Sequence, residues 1–242
     1  MYIDEYCERV APGLWGEPAN ALSNGAFLIA SAVLLWLLSG QPASRRAPLS
    51  VWLLPLTLGI IGFCSLAFHT FATRFTASLD TFSIIAFILI GVILLLHWMW
   101  SVSWKWAWLG APAYMAFAIG LNAAVGFALG GYLPALVGLA GFALAARFTL
   151  PKPMARFGNR LLLAATIFAV SLTLRTLDEP LCEDLPTGTH FAWHCLNATV
   201  LFLVAHTVIR AWQTRVEMAK GPRHRDPPDR QRTAVDAPSL GT

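Results

Sequence analysis

Residues 106–146 read WAWLGAPAYMAFAIGLNAAVGFALGGYLPALVGLAGFALAA and contain no charged side chain. About 20 apolar residues are enough for one helix to cross a bilayer, and this stretch is about twice as long. The GGYLP sequence at 130–134, in its second half, is typical of a break between helices. The stretch therefore predicts two consecutive transmembrane helices.

The rest of the chain has the same apolar character. Hydrophobic residues make up 57% of the 242 residues and charged residues only 12%, with a mean hydropathy of +0.60. A soluble domain of this size normally devotes about a quarter of its residues to charged side chains. The net charge of +4 does not indicate nucleic-acid binding, because the basic residues are not gathered with aromatic residues on one folded module.

The hydropathy pattern predicts an all-α integral membrane protein, a bundle of seven transmembrane helices. The predicted spans lie near 20–39, 51–71, 80–100, 106–127, 132–147, 160–175 and 190–211. The fifth and sixth spans are short, so a count of six stays open.

The distribution of basic residues predicts an orientation. With the N-terminus outside, every Lys and Arg except Arg9, Arg74 and Arg175 falls in an inner loop or in the C-terminal tail. The positive-inside rule favours this arrangement, with the C-terminus in the cytoplasm. The predicted domains are an extracytoplasmic acidic segment, a transmembrane domain and a disordered basic cytoplasmic tail, at 1–19, 20–211 and 212–242.

A few polar residues interrupt the predicted spans near their outer ends, where ionisable groups are costly and usually functional. Ser65 and His69 end the second span, Asp80 begins the third, and His190 and His194 begin the seventh. Ser65 and His69 are four residues apart, as are His190 and His194, so the two members of each pair share one face of a helix.

Three histidines at one depth suit a metal ion. Three protein nitrogens with an open fourth position are the arrangement of catalytic zinc, and no cysteine falls at zinc-ligand spacing. A lone histidine in a helix is usually a hydrogen-bonded core residue, which is our interpretation of His97 and His206 nearer the inner face. As alternatives, Asp80 could simply favour a helix N-terminus and Ser65 could bond to its own helix.

The motifs resemble those of the alkaline ceramidases, and more closely their bacterial ceramidase-domain relatives. The wider group includes the adiponectin-receptor-type seven-helix proteins. The matching pieces are Tyr6-Cys7-Glu8, EPANALSN at 17–24, SLAFH at 65–69, Asp80 and GTHFAWH at 188–194.

The resemblance implies a zinc-dependent hydrolase in the bacterial inner membrane, with its site toward the outer face. It implies that His69, His190 and His194 bind zinc and that Asp80 and Ser65 flank the attacking water. Asp80 would accept the proton of this water and deliver it to the leaving amine, and Ser65 would donate to the developing oxyanion. The implied substrate is ceramide or another N-acyl lipid, cleaved to a fatty acid and an amine.

The family also implies a calcium ion and a disulfide in the outer region. Glu5, Glu8 and Glu17 align with its side-chain calcium ligands, and Tyr6 and Val10 could offer backbone carbonyls. Oxygen-only ligation suits calcium. Cys7 and Cys182 both fall on the predicted outer side, where an oxidising compartment permits a disulfide. The resemblance favours this bridge.

Two other functions fit the same histidines. A receptor-like or lipid-sensing protein could keep zinc as a structural ion, and a lipid esterase could use the same metal chemistry. The presence of both Asp80 and Ser65 favours an enzyme, because a structural metal needs neither.

Overall fold

The computed structural model describes residues 2–41 and 46–219, and their regular secondary structure is helical. Within these ranges, β-pairing is confined to one isolated bridge between Tyr2 and Thr73. The helices are α1 (Pro18–Ser23), α2 (Gly25–Ser39), α3 (Leu49–Phe71), α4 (Arg74–Trp100), α5 (Trp104–Ala107), α6 (Gly110–Val125), α7 (Leu133–Thr149), α8 (Lys152–Leu177) and α9 (His190–Ala219).

Six helical stretches in the described residues are long and apolar enough to cross a membrane. They are Pro18–Ser39, Leu49–Phe71, Arg74–Trp100, Trp104–Val125, Lys152–Leu177 and His190–Ala219. The helix α7 is also apolar but shorter, with 17 residues. The predicted all-helical fold is therefore confirmed, with six helices suited to cross a membrane, and each predicted span overlaps one of the helices named here.

The break predicted near 130–134 is present. A short 3-10 turn, Ala128–Gly131, separates α6 from α7, and Leu129 and Gly130 in it have positive φ angles. An α-helix cannot continue through left-handed residues, so the uncharged stretch forms two helices.

Large apolar side chains cover the outside of the bundle, as a bilayer requires. Ile29, Phe63, Phe82 and Phe148 are each more than 60% exposed. Patches of this kind are rare on soluble monomers, whereas lipid tails solvate them without cost.

The helix α9 lies at the centre of the bundle, because it contacts α2, α3, α4 and α8. It continues to Ala219, past the predicted span end at 211, and Trp212 is buried. The predicted tail therefore begins later than 212, and residues 220–242 lie outside the described part of the chain.

The N-terminal segment packs on the end of the bundle where α3 ends and α9 begins. The amides of Ile3 and Gly13 donate to the carbonyls of Ala72 and Thr70, at 2.8 and 2.7 Å. The Glu8 carboxylate accepts from two amides in the first turn of α1, at 2.7 and 2.8 Å. A carboxylate at a helix N-terminus is stabilising, so Glu8 fixes this segment to α1.

A disulfide between Cys7 and Cys182 ties the segment to the loop between α8 and α9, which confirms the predicted pairing. Beside it, the Asp178 carboxylate accepts from the amides of Cys7, Thr189 and His190, at 3.2, 2.6 and 2.8 Å. Asp178 therefore joins the N-terminal segment to the first turn of α9.

Candidate metal centre

His69, His190 and His194 converge at this end of the bundle. One nitrogen of each imidazole lies within 4.8 Å of the corresponding nitrogen of the other two, and all three residues are buried. His69 is in the last turn of α3, and His190 and His194 are one turn apart at the start of α9. The predicted convergence is confirmed. In the described ranges, these are the only three His, Cys, Asp or Glu side chains grouped closely enough to share a metal ion.

Two of the imidazoles are oriented through Nδ1. Nδ1 of His69 is 2.9 Å from a carboxylate oxygen of Glu17, which can only accept. Nδ1 of His194 is 2.8 Å from the Ser23 hydroxyl, which itself donates to the carbonyl of Asn20 at 2.9 Å. Both Nδ1 atoms therefore donate, and both Nε2 atoms are left as acceptors. Metal-binding histidines commonly have such a partner on the second ring nitrogen.

His190 is held through its backbone and its ring face. Its amide donates to Asp178, and the Tyr6 ring lies against the imidazole with ring centroids 3.9 Å apart and ring planes tilted by 33°. Nδ1 of His190 is buried and has no hydrogen-bond partner in the described structure. A buried nitrogen without a hydrogen-bond partner destabilises the fold, and a ligand bound beside it could supply that partner.

This donor set fits a metal of intermediate softness. Three buried imidazoles match zinc or a related transition metal, whereas calcium and magnesium prefer oxygen. The cluster could therefore hold a transition-metal ion.

Glu17 lies at the centre of a buried polar network beside His69. It forms an ion pair with Arg9 and accepts from the Asn20 side chain at 3.0 Å, and both ionic side chains are 1% exposed. Burial raises the pKa of the Glu17 carboxyl, whereas the hydrogen bond from Asn20 and the charge of Arg9 lower it and favour the carboxylate. Removing either ionic partner would leave an uncompensated buried charge.

A polar cavity of about 110 Å³ adjoins the cluster. Ser65, Asp80, His190 and His194 all line it. The Ser65 hydroxyl interacts with the Asp80 carboxylate, and Oδ1 of Asp80 is buried without a hydrogen-bond partner among the described residues. The structure thus brings a carboxylate and a hydroxyl to the same space as two of the three histidines.

A second cavity, of about 80 Å³, lies deeper and is almost entirely apolar. It shares Ile84, Tyr132 and Asn197 with the polar cavity, so the two spaces adjoin. Its other walls come from α4, α6, α7, α8 and α9, including Phe87 and Leu201. The apolar lining suits methylene groups close to a polar reacting group.

The residues predicted to bind calcium do not form a cluster. Both carboxylate oxygens of Glu8 accept from backbone amides, and Glu17 faces Arg9, Asn20 and His69. Of the remaining members, Glu5 lines the polar cavity, and the backbone carbonyl of Tyr6 accepts from the amide of Arg9 at 3.0 Å. The described residues give calcium no support, and Glu17 instead contacts a histidine of the cluster.

His97 and His206 lie elsewhere, as their spacing predicts. Nδ1 of His97 is 2.8 Å from the carbonyl of Val102, and Nδ1 of His206 is 3.3 Å from the Arg160 guanidinium. Neither belongs to the group that could bind a metal.

Sequence reasoning missed the groups that orient the histidines. Glu17, Asn20 and Ser23 are spaced three residues apart, which places them near one face of α1. This spacing was the available signal that α1 presents a polar face to the bundle.

Comparison with known proteins does not identify the family of this chain. No family model matches the chain, and a search of curated proteins finds no match. The resemblance to the alkaline ceramidases therefore stays a prediction from the motifs.

Proposed function

We propose that this protein is a zinc-dependent membrane hydrolase that cleaves the amide bond of a ceramide-like N-acyl lipid. The observation that carries the proposal is the convergence of three buried histidines beside a cavity lined by Asp80 and Ser65. When bound to the cluster, zinc would polarise the substrate carbonyl and lower the pKa of water.

Asp80 is the group suited to move the proton. A carboxylate with an unpartnered oxygen in the cavity can accept a proton from the attacking water and release it to the leaving nitrogen. Hydrolysis then yields a fatty acid and an amine, and Asp80 returns to its starting state.

Ser65 is the group suited to stabilise charge. Its hydroxyl shares the cavity with Asp80 and can turn from that carboxyl, once it holds the proton, to donate to the carbonyl oxygen as negative charge develops there. The surrounding protein excludes bulk water, which strengthens this hydrogen bond.

The adjoining apolar cavity supports a lipid substrate. A chain placed there would pack its methylene groups against Phe87 and Leu201, in surroundings as apolar as the bilayer it leaves. The amide would then lie in the polar cavity, near the histidines.

Membrane placement completes the proposal. Seven helices span the membrane, with α7 as the short one, and the N-terminal segment and metal centre lie on the outer side of a bacterial inner membrane. The supporting observation is the distribution of Lys and Arg along the sequence. The disulfide also suits an oxidising outer compartment.

The proposal is tested with purified full-length protein in detergent and a panel of N-acyl lipids. We expect fatty-acid release that a chelator abolishes and added zinc restores. No release from any N-acyl lipid by zinc-loaded protein would contradict the amide-hydrolase proposal, and release only from matched esters would assign an esterase.

A lipid sensor with a structural metal is the second candidate. It is favoured by the N-terminal segment, which packs against the cluster through Tyr6 and Glu17. Stoichiometric metal and co-purified fatty acid without turnover would be the expected result for a sensor.

A further inference from the structure

Asn197 lies where the polar and apolar cavities meet. It follows His194 by three positions on α9, is 3% exposed, and lines both spaces. Three residues of α-helix correspond to about 4.5 Å along the axis, so Asn197 is less than one turn deeper than the histidine. A lipid chain that leaves the metal centre for the apolar cavity passes this side chain within its first few carbon atoms.

The carboxamide of Asn197 makes no hydrogen bond to another residue in the described ranges. The neighbours that share its position between the cavities are Ile84, which is apolar, and Tyr132, whose hydroxyl also makes no hydrogen bond in the described ranges. A carboxamide offers two donors and an acceptor with two lone pairs. Covering it with methylene groups alone would leave these groups desolvated and unpaired.

We propose that Asn197 determines substrate specificity by hydrogen-bonding a hydroxyl group on the lipid chain in the apolar cavity, close to the scissile amide. This inference rests on the proposed function. A hydroxyl both donates and accepts, so it matches the carboxamide, and it is neutral, so it needs no counter-ion in this space.

The expected consequence is discrimination between lipids that differ by one hydroxyl. A buried polar group built to bind a hydroxyl rejects the analogue that lacks it, because the protein group is then left unpaired. For a single neutral hydrogen bond we expect about a tenfold preference in kcat/KM for the hydroxylated lipid.

The hydroxyl could belong to either chain of an N-acyl lipid, and matched substrates separate the two sources. One pair differs by a hydroxyl on the acyl carbon next to the carbonyl. The other pair differs by a hydroxyl on the amine chain, on the carbon next to the one that bears nitrogen. The pair with the larger kcat/KM ratio identifies the chain that lies against Asn197.

Substitution at Asn197 tests the inference directly. Asn197→Leu keeps the approximate volume and removes the polar group, so the kcat/KM ratio should fall from about ten to about one. Ile84→Val, at the same junction, changes shape without changing polarity and should keep the wild-type ratio. Where Asn197→Leu does not fold, Asn197→Ser should lower the ratio because its hydroxyl is shorter.

A wild-type ratio near one in both pairs would overturn the inference, as would an unchanged ratio in Asn197→Leu. Both results leave the amide-hydrolase proposal intact, because hydrolysis is still observed. If no N-acyl lipid is hydrolysed, the same comparison is made by equilibrium binding of 2-hydroxylated and unsubstituted fatty acids. Wild type should then bind the hydroxylated acid about tenfold more tightly, and equal binding would overturn the inference.

Discussion

Nδ1 of His69 lies 2.9 Å from Oε2 of Glu17, 52 positions earlier in the chain. The contact joins the N-terminal segment to the end of α3, and the Arg9 ion pair holds the carboxylate in place. An imidazole that donates from Nδ1 to a carboxylate is a more basic ligand at Nε2. The N-terminal segment therefore contributes to the candidate metal centre although none of its residues belongs to the histidine cluster.

Glu17→Gln should weaken metal binding by about 10- to 100-fold, because the neutral amide is a poorer acceptor for the His69 imidazole. Competition with a chelator of known affinity measures the change. Glu179→Gln is the control, since Glu179 is exposed in the loop after α8 and should keep wild-type affinity. Equal affinities in both variants would contradict a role for Glu17 at the metal.

Ser23→Ala should lower metal affinity by about tenfold, because Nδ1 of His194 loses the hydroxyl that accepts its hydrogen bond. The matched control is Ser39→Ala, because the hydroxyl of Ser39 donates only to a carbonyl of its own helix. The same chelator competition applies. If the control lost as much affinity as Ser23→Ala, the effect would be general destabilisation.

The Cys7–Cys182 disulfide should stabilise both the fold and the metal centre. It closes a separation of 175 residues, and Cys7 also donates to Asp178, which holds the first turn of α9. The double substitution Cys7→Ser/Cys182→Ser should lower the free energy of unfolding by about 2–5 kcal/mol, measured by thermal unfolding in detergent.

A reductant separates this effect from that of the free thiols. The reductant should lower the Tm of wild type and of Cys195→Ser, since Cys195 is an exposed free cysteine. It should not change the Tm of the double variant. A reductant effect that persists in the double variant would assign the stabilisation to another cysteine.

The histidine cluster could be predicted because its signal is local. His190 and His194 are four apart on one helix, and Ser65 and His69 repeat this spacing at the end of another. Span boundaries place both pairs at one depth, so convergence follows once the helices pack. The His69–Glu17 contact could not be predicted in this way, because no periodicity relates residues on different elements.

The calcium prediction depends on where the acidic side chains point, which a sequence motif does not specify. Acidic residues near the N-terminus suit calcium when their side chains face one point, but here Glu8 faces the first turn of α1 and Glu17 faces Arg9. The predicted span near 190–211 is shorter than the helix α9 that contains it. Residues 213–219 are more polar than a membrane span, yet the helix continues because polar residues near the end of a span can face water.

Asp80→Asn should reduce kcat on an N-acyl lipid by about 10²- to 10⁴-fold while the protein keeps its metal. The amide cannot accept the proton that the proposal assigns to Asp80, and the histidines are untouched. Steady-state hydrolysis with parallel metal analysis measures both quantities. Undiminished kcat would remove Asp80 from the proposed chemistry, and loss of the metal would make it a structural support of the centre instead.

The central claim is that His69, His190 and His194 hold one metal ion. Elemental analysis of the purified full-length protein, compared with the folded His190→Ala variant, tests it most directly. We expect about one zinc per chain in wild type, as for a mononuclear site, and far less in the variant, because two histidines bind zinc much more weakly. A wild-type protein without a transition metal after zinc loading, or a variant that retains the full complement, would contradict the account.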